Sequence, residues 1–218
     1  MKKAILTGFF TVCLLAASGL AAQEAEGLKM QGLEPSQIAQ LARQGSLLVI
    51  KYDKSGKLKE VVSCAVVNAS ADKVYDVVTD FPSYAKFVPQ TTDMKVIKKI
   101  SDTQYQTEQT IKVEIWVLKV SVTYQHIQKL DPGKGIKFNW VSGDLEGTYG
   151  RYDVIDLGKN QSLLFYTVYS NLTALPWPIG PIMKAQPDFL TSVNCSVTSM
   201  NVKAFKEEAE RRAAAGAK

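Results

Sequence analysis

The sequence predicts an α+β fold: a curved antiparallel sheet wrapped around one long C-terminal helix. Two observations carry this. Between Tyr105 and Leu172 successive segments alternate apolar and polar residues and are joined by short turns, the pattern of an antiparallel meander with one wet and one covered face. Beyond Pro187, as far as Arg212, the chain has no glycine or further proline, and Leu190, Val193, Val197, Met200 and Ala204 recur at three- and four-residue steps. A helix with one such apolar stripe needs a sheet to lie against.

The elements follow in order. Residues 1–21 have the layout of a cleavable secretory signal peptide: Lys2 and Lys3, the apolar run Ile5 to Ala17, then the small-residue pattern Gly19-Leu20-Ala21. The mature chain is expected to start at Ala22. The two-lysine start is bacterial in style, so the expected compartment is the periplasm. Cys13 lies within the apolar run and is expected to leave with it.

Residues 22–57 add a helix and a leading strand. Pro35 to Gly45 has proline near its start and glycine just past its end. Ser46 to Tyr52 and Leu58 to Val67 are strand-like and are joined by the turn Asp53-Lys54-Ser55-Gly56, which predicts a hairpin.

Residues 58–212 form the main domain. Ser70 is placed to cap a helix carrying Asp72 in its first turn and Ala71, Val74, Tyr75 and Val78 on one face. Pro82 stops that helix and opens a second short one through Tyr84, Ala85 and Phe87, which Pro89 ends. Further on, Ile111, Val113 and Ile115 share a face, as do Leu118, Val120, Val122 and Tyr124. The phase slips between Ile115 and Leu118, so a bulge or bend is expected near Trp116 and Val117. Ile136, Phe138 and Trp140 alternate after the turn at Asp131-Pro132-Gly133, and two more strands fill Glu146 to Leu157 and Ser162 to Leu172. Lys206 to Arg212, charged all round, is expected to project into solvent, and 213–218 to form a disordered tail.

The run Asn68 to Pro89 carries the pattern Val66, Ala69, Ser70, Ala71, Val74, Tyr75, Val77, Asp80, Phe81, Tyr84, Phe87, Pro89. In this the chain resembles the START-like (SRPBCC) superfamily, in its coenzyme-Q-binding and polyketide-cyclase branch, over about residues 58 to 210. The resemblance implies a helix-grip fold with an apolar cavity between sheet and helix. It also packs the helix bearing Cys195 across the sheet bearing Cys64. In an oxidising compartment the two pair, or they remain two buried thiols. Cys195 lies off the apolar stripe, and the sequence leaves the choice open.

The expected ligand-binding residues divide into three groups. Phe81, Tyr84 and Phe87 form a clamp at one end of the cavity. Trp177, Ile179, Ile182 and Met183 lie in a proline-rich segment, too apolar for a simple solvated loop, that forms the rest of a mobile mouth. The lining is Ile115, Val120, Val122, Tyr124, Phe138, Trp140, Tyr152, Phe165 and Tyr169, with Val193 and Val197 from the helix. Buried tyrosine hydroxyls need partners, and a ligand head group is one candidate.

Catalytic and metal chemistry find little support. His126 is the single histidine, in phase with Val122 and Tyr124, and no spacing suggests a zinc site, a Ser/His/Asp set or a phosphate loop. Gly143, Gly147 and Gly150 precede a strand and are expected at bends or bulges. Arg151 and Asp153 share the strand face opposite Tyr152, which predicts an outward ion pair; the alternative is that Arg151 orients a carbonyl inside the pocket. Loss of Lys2 and Lys3 takes the formal charge from +5 to +3, too mild for a nucleic-acid partner. The expected partner is a hydrophobic small molecule or lipid, of isoprenoid or quinone-like character, carried or sequestered with no cofactor and with transient membrane-surface contact. The rival expectation is a cyclase/aromatase-like or hydrolase-type enzyme using Tyr152, Arg151 or His126.

Overall fold

The computed structural model describes residues 33–115 and 118–216. Helix α1 (Pro35–Ala42) leads into the hairpin β1 (Leu47–Tyr52) and β2 (Leu58–Val67). The Asp53 carboxylate holds that turn by accepting from the Ser55 and Lys57 amides at 2.7 and 3.0 Å. Helix α2 (Ala71–Thr79), a short 3-10 turn (Phe81–Ser83) and helix α3 (Tyr84–Phe87) come next. Strands β3 (Thr91–Ser101), β4 (Gln104–Ile115), β5 (Leu118–Asp131), β6 (Gly135–Gly143), β7 (Tyr149–Gly158) and β8 (Gln161–Tyr169) complete an open antiparallel sheet in the order β1-β2-β8-β7-β6-β5-β4-β3. A 3-10 turn (Leu172–Ala174), helix α4 (Ile179–Ala185) and the long α5 (Pro187–Ala215) end the chain.

The two faces of the sheet bury different things. Residues of one parity, among them Ala65, Val67, Val154, Leu164 and Val168, pack with Val202, Phe205 and Ala209 of α5 and with Val74, Val77 and Val78 of α2. Residues of the other parity, Val62, Cys64, Val66, Leu163 and Phe165, pack against Ile38, Ala39 and Ala42 of α1. β2 and β8 are thus covered on both faces, and α1 belongs to the same packed unit.

This arrangement decides one open choice and corrects several expectations. Cys64 points to the α1 side while Cys195 rides on α5 across the sheet, so the two thiols are free. Ser70 sits at the start of α2 in extended geometry, but its side chain makes no capping hydrogen bond. β3 was not anticipated. It is an edge strand that buries only Thr91 and Met94 and has three register shifts against β4, so its apolar residues never fall into a clean alternation. Ile115 pairs with Leu118, so the change of phase there accompanies the reversal from β4 to β5; Trp116 and Val117 lie outside the described residues, as do residues 1–32 with the expected signal segment.

The C-terminal end of α5 also departs from expectation. Ala209 is fully buried against α2, and the Arg212 guanidinium lies 2.8 Å from the Asp80 carboxylate and 2.7 Å from Glu208. Arg212 to Asp80 and Glu210 to the Asn68 amide tie the helix down, while Glu207 and Arg211 are exposed as expected. Helix geometry continues through Ala213, Ala214 and Ala215, which were expected in the tail, and 217–218 lie outside the described residues. Among the described residues no helix is long and apolar enough to cross a membrane.

Candidate functional site: a neutral cavity between sheet and helix

The sheet and α5 part company over the β4–β6 half of the sheet, leaving a cavity of about 400 Å³. Its sheet wall comes from residues two apart on neighbouring strands: Ile111 and Val113 of β4, Tyr124, His126 and Gln128 of β5, Ile136 and Phe138 of β6, Tyr152 of β7, Tyr166 and Val168 of β8. The pleat puts every second side chain on this wall. Gly150 makes room for one of them. A Cβ there would sit 2.3 Å from the Phe138 ring, so only glycine lets that ring lie against β7. Phe189, Val193, Val197 and Met200 of α5 form the opposite wall.

One end is closed by aromatic packing. Tyr84 meets Phe81 and Phe205 edge-on, with centroids 5.8 and 5.1 Å apart, and Phe87 stands on Phe205 at 5.2 Å. The Tyr152 and Tyr166 rings stack at 4.3 Å. Their hydroxyls are satisfied within the protein: Tyr84 donates to the Val78 carbonyl, and Tyr166 is hydrogen-bonded by Tyr152 and Asn201. Burial holds these phenols neutral, pushing Tyr166 up to about 12 and Tyr84 and Tyr152 well above the ordinary value. The opening lies elsewhere. Pro89, Gln90, Ser192, Ser196 and Met200 are the exposed members of the lining, so the mouth runs between the α3–β3 loop and the outer flank of α5. At this rim Gln90 holds a left-handed backbone, φ +64°, and its carbonyl accepts from the Lys112 amide at 2.9 Å.

The wall carries no Asp, Glu, Lys or Arg among the described residues. Its polar groups are neutral, and two of them are unpartnered. His126 is 5% exposed with no hydrogen bond at Nε2, and Gln128 is 4% exposed with none at Oε1. Gln128 Nε2 donates to Thr107 Oγ1 at 3.1 Å, which leaves only one end of the amide free. Tyr124 and Phe138 flank the imidazole at 4.9 and 5.0 Å. Burial in that aromatic setting pushes His126 down to about 3.

The sequence profile of one protein family, described as polyketide cyclase/dehydrase and lipid transport, matches residues 67–206. The chain belongs to that family. No curated protein sequence matches it significantly. Among solved structures it is similar to the human StarD13 lipid transfer and protein localization domain, with TM-score 0.59 and 12% identity over 74% of this chain and 83% of that one. It is similar to the Zhui aromatase/cyclase of Streptomyces (TM-score 0.56, 18% identity, 71% and 94% of the two chains). A STAR-related lipid transfer protein from Xanthomonas axonopodis scores 0.55 at 13% identity over 76% and 94%. At such identities these likenesses establish the fold, which is the START-like helix grip.

In this member of the polyketide cyclase/dehydrase and lipid transport family, six of the sequence-predicted ligand residues line the cavity: Tyr84, Tyr124, Phe138, Tyr152, Val193 and Val197. The others sit elsewhere. Phe81 is buried behind Tyr84, and Phe87 packs behind it on Phe205. Val120, Val122, Trp140, Ile179 and Met183 form a core cluster beside the cavity, where the Trp140 indole donates to the Asp144 carbonyl at 2.9 Å. Phe165 faces α1, and Tyr169 lies near Tyr149 at the end of the sheet, so both have the wrong parity for the cavity. Trp177 and Ile182 are exposed. The side chain of Ile115 lies outside those described.

Sequence reasoning missed Tyr166, Gln128, Gln109, Thr91 and Met94 on the sheet and the neutral polar residues of α5. Gln128 had a usable signal, since it continues the Tyr124–His126 face by one more step of two. Arg151, the catalytic alternative, is on the outer face with its Nε 2.7 Å from Asp153 Oδ2, as an outward pair requires. General acid–base work at neutral pH favours a group titrating near 7. The cavity offers His126 at about 3 and high-pKa phenols. Its largely apolar lining suits the holding of an apolar molecule.

Proposed function

We propose that the protein binds a hydrophobic small molecule of lipid, isoprenoid or quinone-like class in this cavity and carries or sequesters it without covalent chemistry. The observation that carries the reading is the roughly 400 Å³ hollow between sheet and α5, walled mostly by apolar and aromatic side chains with no charged group among the described residues. That volume lies within the range of small-molecule sites, about 300–1,000 Å³. The lipid-transport side of the family's description points the same way.

Energetics favour exchange over one-way capture. Each methylene moved from water into the cavity gains about 0.8 kcal/mol, but a molecule drawn from a membrane has already made that gain. Transfer is then nearly neutral, and opening of the rim sets the rate. We place this exchange in the periplasm, after export directed by residues 1–21, with brief contact at a membrane surface. Trp177, 84% exposed, and Ile182 on the segment before α5 are suited to such contact.

Native mass spectrometry of the protein purified from cells, followed by organic extraction and identification of what is released, tests the reading. An apolar guest at one per chain is expected. Recovery of protein that neither carries such a molecule nor takes up any added one would overturn it. Cell fractionation with N-terminal sequencing of the mature chain tests the compartment, with Ala22 expected first.

A further inference from the structure

The cavity is apolar on most of its surface, but its polarity is concentrated. His126 and Gln128 are adjacent inward residues of β5, roughly 7 Å apart along the strand, and each presents a buried atom with no protein partner. Leaving such atoms unpaired opposes folding, by an amount apolar residues of similar shape would not incur. Several other polar groups around the hollow are satisfied within the protein. Gln109 Nε2 donates to Thr91 Oγ1 at 2.8 Å, Asn194 is saturated by backbone groups, and Tyr84, Tyr152 and Tyr166 have partners. The two open valences share one strand of one wall, and the other unpartnered buried side-chain atoms, Ser63 Oγ and Thr167 Oγ1, lie outside the cavity lining.

We infer that His126 and Gln128 form the head-group site of the cavity, and that it takes an uncharged hydroxyl or carbonyl head while excluding carboxylate and phosphate heads. This rests on the binding reading above and specifies the class of guest. The hydroxyl of a prenol or long-chain alcohol can donate to Gln128 Oε1, the acceptor left open. The imidazole completes the pair as donor or acceptor according to its tautomer, so a ring carbonyl is also held when Nε2 carries the proton.

Charge decides what is kept out. An anionic head at this depth would lose its hydration and meet no cation, since no Lys or Arg lines the wall among the described residues. His126 supplies none either, because burial keeps it neutral far below neutral pH. The hollow opens between the α3–β3 loop and α5, so the tail of a guest longer than the cavity emerges there.

The test compares three ten-carbon compounds, decan-1-ol, decanoate and decane, on the full mature chain and on the single variants His126→Phe and Gln128→Met. Affinities for the first two are measured by calorimetry at pH 7.5, and uptake of decane by native mass spectrometry. Wild-type protein is expected to bind decan-1-ol at least tenfold more tightly than decanoate. Each variant is expected to lose fivefold or more toward decan-1-ol while retaining decane, which also reports an intact cavity. Decanoate binding within threefold of decan-1-ol on the wild type overturns the assignment, as does decan-1-ol affinity unchanged in a variant that keeps decane. In either case the binding reading survives through decane uptake. Failure of the wild type to take up any of the three overturns the binding reading itself.

Discussion

The side chain of Asn194, two turns into α5, is bound to the backbone of Ser170 just past the end of β8 as a strand would be. Its Oδ1 accepts from the Ser170 amide at 2.8 Å, and its Nδ2 donates to the Ser170 carbonyl at 3.1 Å and to the Leu190 carbonyl at 3.1 Å. This fully buried amide replaces the next rung of the sheet and fixes how α5 is rotated. With Asn194 and Thr198 turned to the sheet, Val193, Val197 and Met200 face the cavity instead. Substitution Asn194→Leu leaves the Ser170 amide without its partner, while the Ser170 carbonyl keeps the Leu172 amide at 3.0 Å. It is expected to cost about 1–3 kcal/mol, the usual loss when one donor is left unsatisfied, read as a lower midpoint in urea denaturation.

His126 makes stability depend on pH. Its folded value is about 3 against an unfolded value near 6.5. Between these limits the unfolded chain binds the extra proton, so stability rises with pH and is lost on acidification from about 6.5 downwards. The slope from this group alone reaches about 1.4 kcal/mol per pH unit. His126→Phe removes it. Chemical denaturation at pH 7 and pH 5 is expected to show the wild type losing about 2 kcal/mol more than the variant over that interval.

What could be read from the sequence, and what could not, follows from where polarity marks a face. The strands of the β4–β6 half were legible because Gln106, Glu108 and Lys112 oppose Ile111 and Val113. β8 was legible as a strand but not in parity. Leu163, Leu164, Phe165 and Tyr166 are all buried, since α1 covers one face and α5 the other, so nothing polar shows that Tyr166 rather than Phe165 looks inward. The long helix was legible in length, and Val193 and Val197 line the cavity as expected, but hydropathy also ranks them above Asn194 and Thr198 and so leaves these two out of the sheet-facing stripe. What hydropathy cannot see there is the hydrogen bonding of Asn194, and that step of one residue, about 100° around the helix, separates the core from the cavity wall.

Filling the hollow separates binding from folding. Val197 is half-buried on the helical wall, facing space rather than packed neighbours. In Val197→Phe the ring enters that space, so the fold is expected to keep its stability within about 1 kcal/mol, while uptake of decan-1-ol falls at least tenfold. Differential scanning calorimetry with the same calorimetric titration checks both halves. A marked loss of stability with binding retained would show that Val197 is packed instead of lining a usable space.

Trp177 offers the sharpest test of contact with a membrane. It is 84% exposed, so no packing term accounts for a large apolar ring at that position. Trp177→Ala is expected to change stability by less than about 0.5 kcal/mol, the usual range for exposed substitutions. Co-sedimentation with phosphatidylethanolamine and phosphatidylglycerol vesicles should then fall severalfold, because an indole stabilises the interface between water and acyl chains. Transfer of a bound fluorescent alcohol from protein to vesicles should slow in parallel, whereas its affinity for the protein in free solution should stay the same. Equal vesicle binding by wild type and variant would remove Trp177 from the exchange step and leave the cavity's own chemistry untouched.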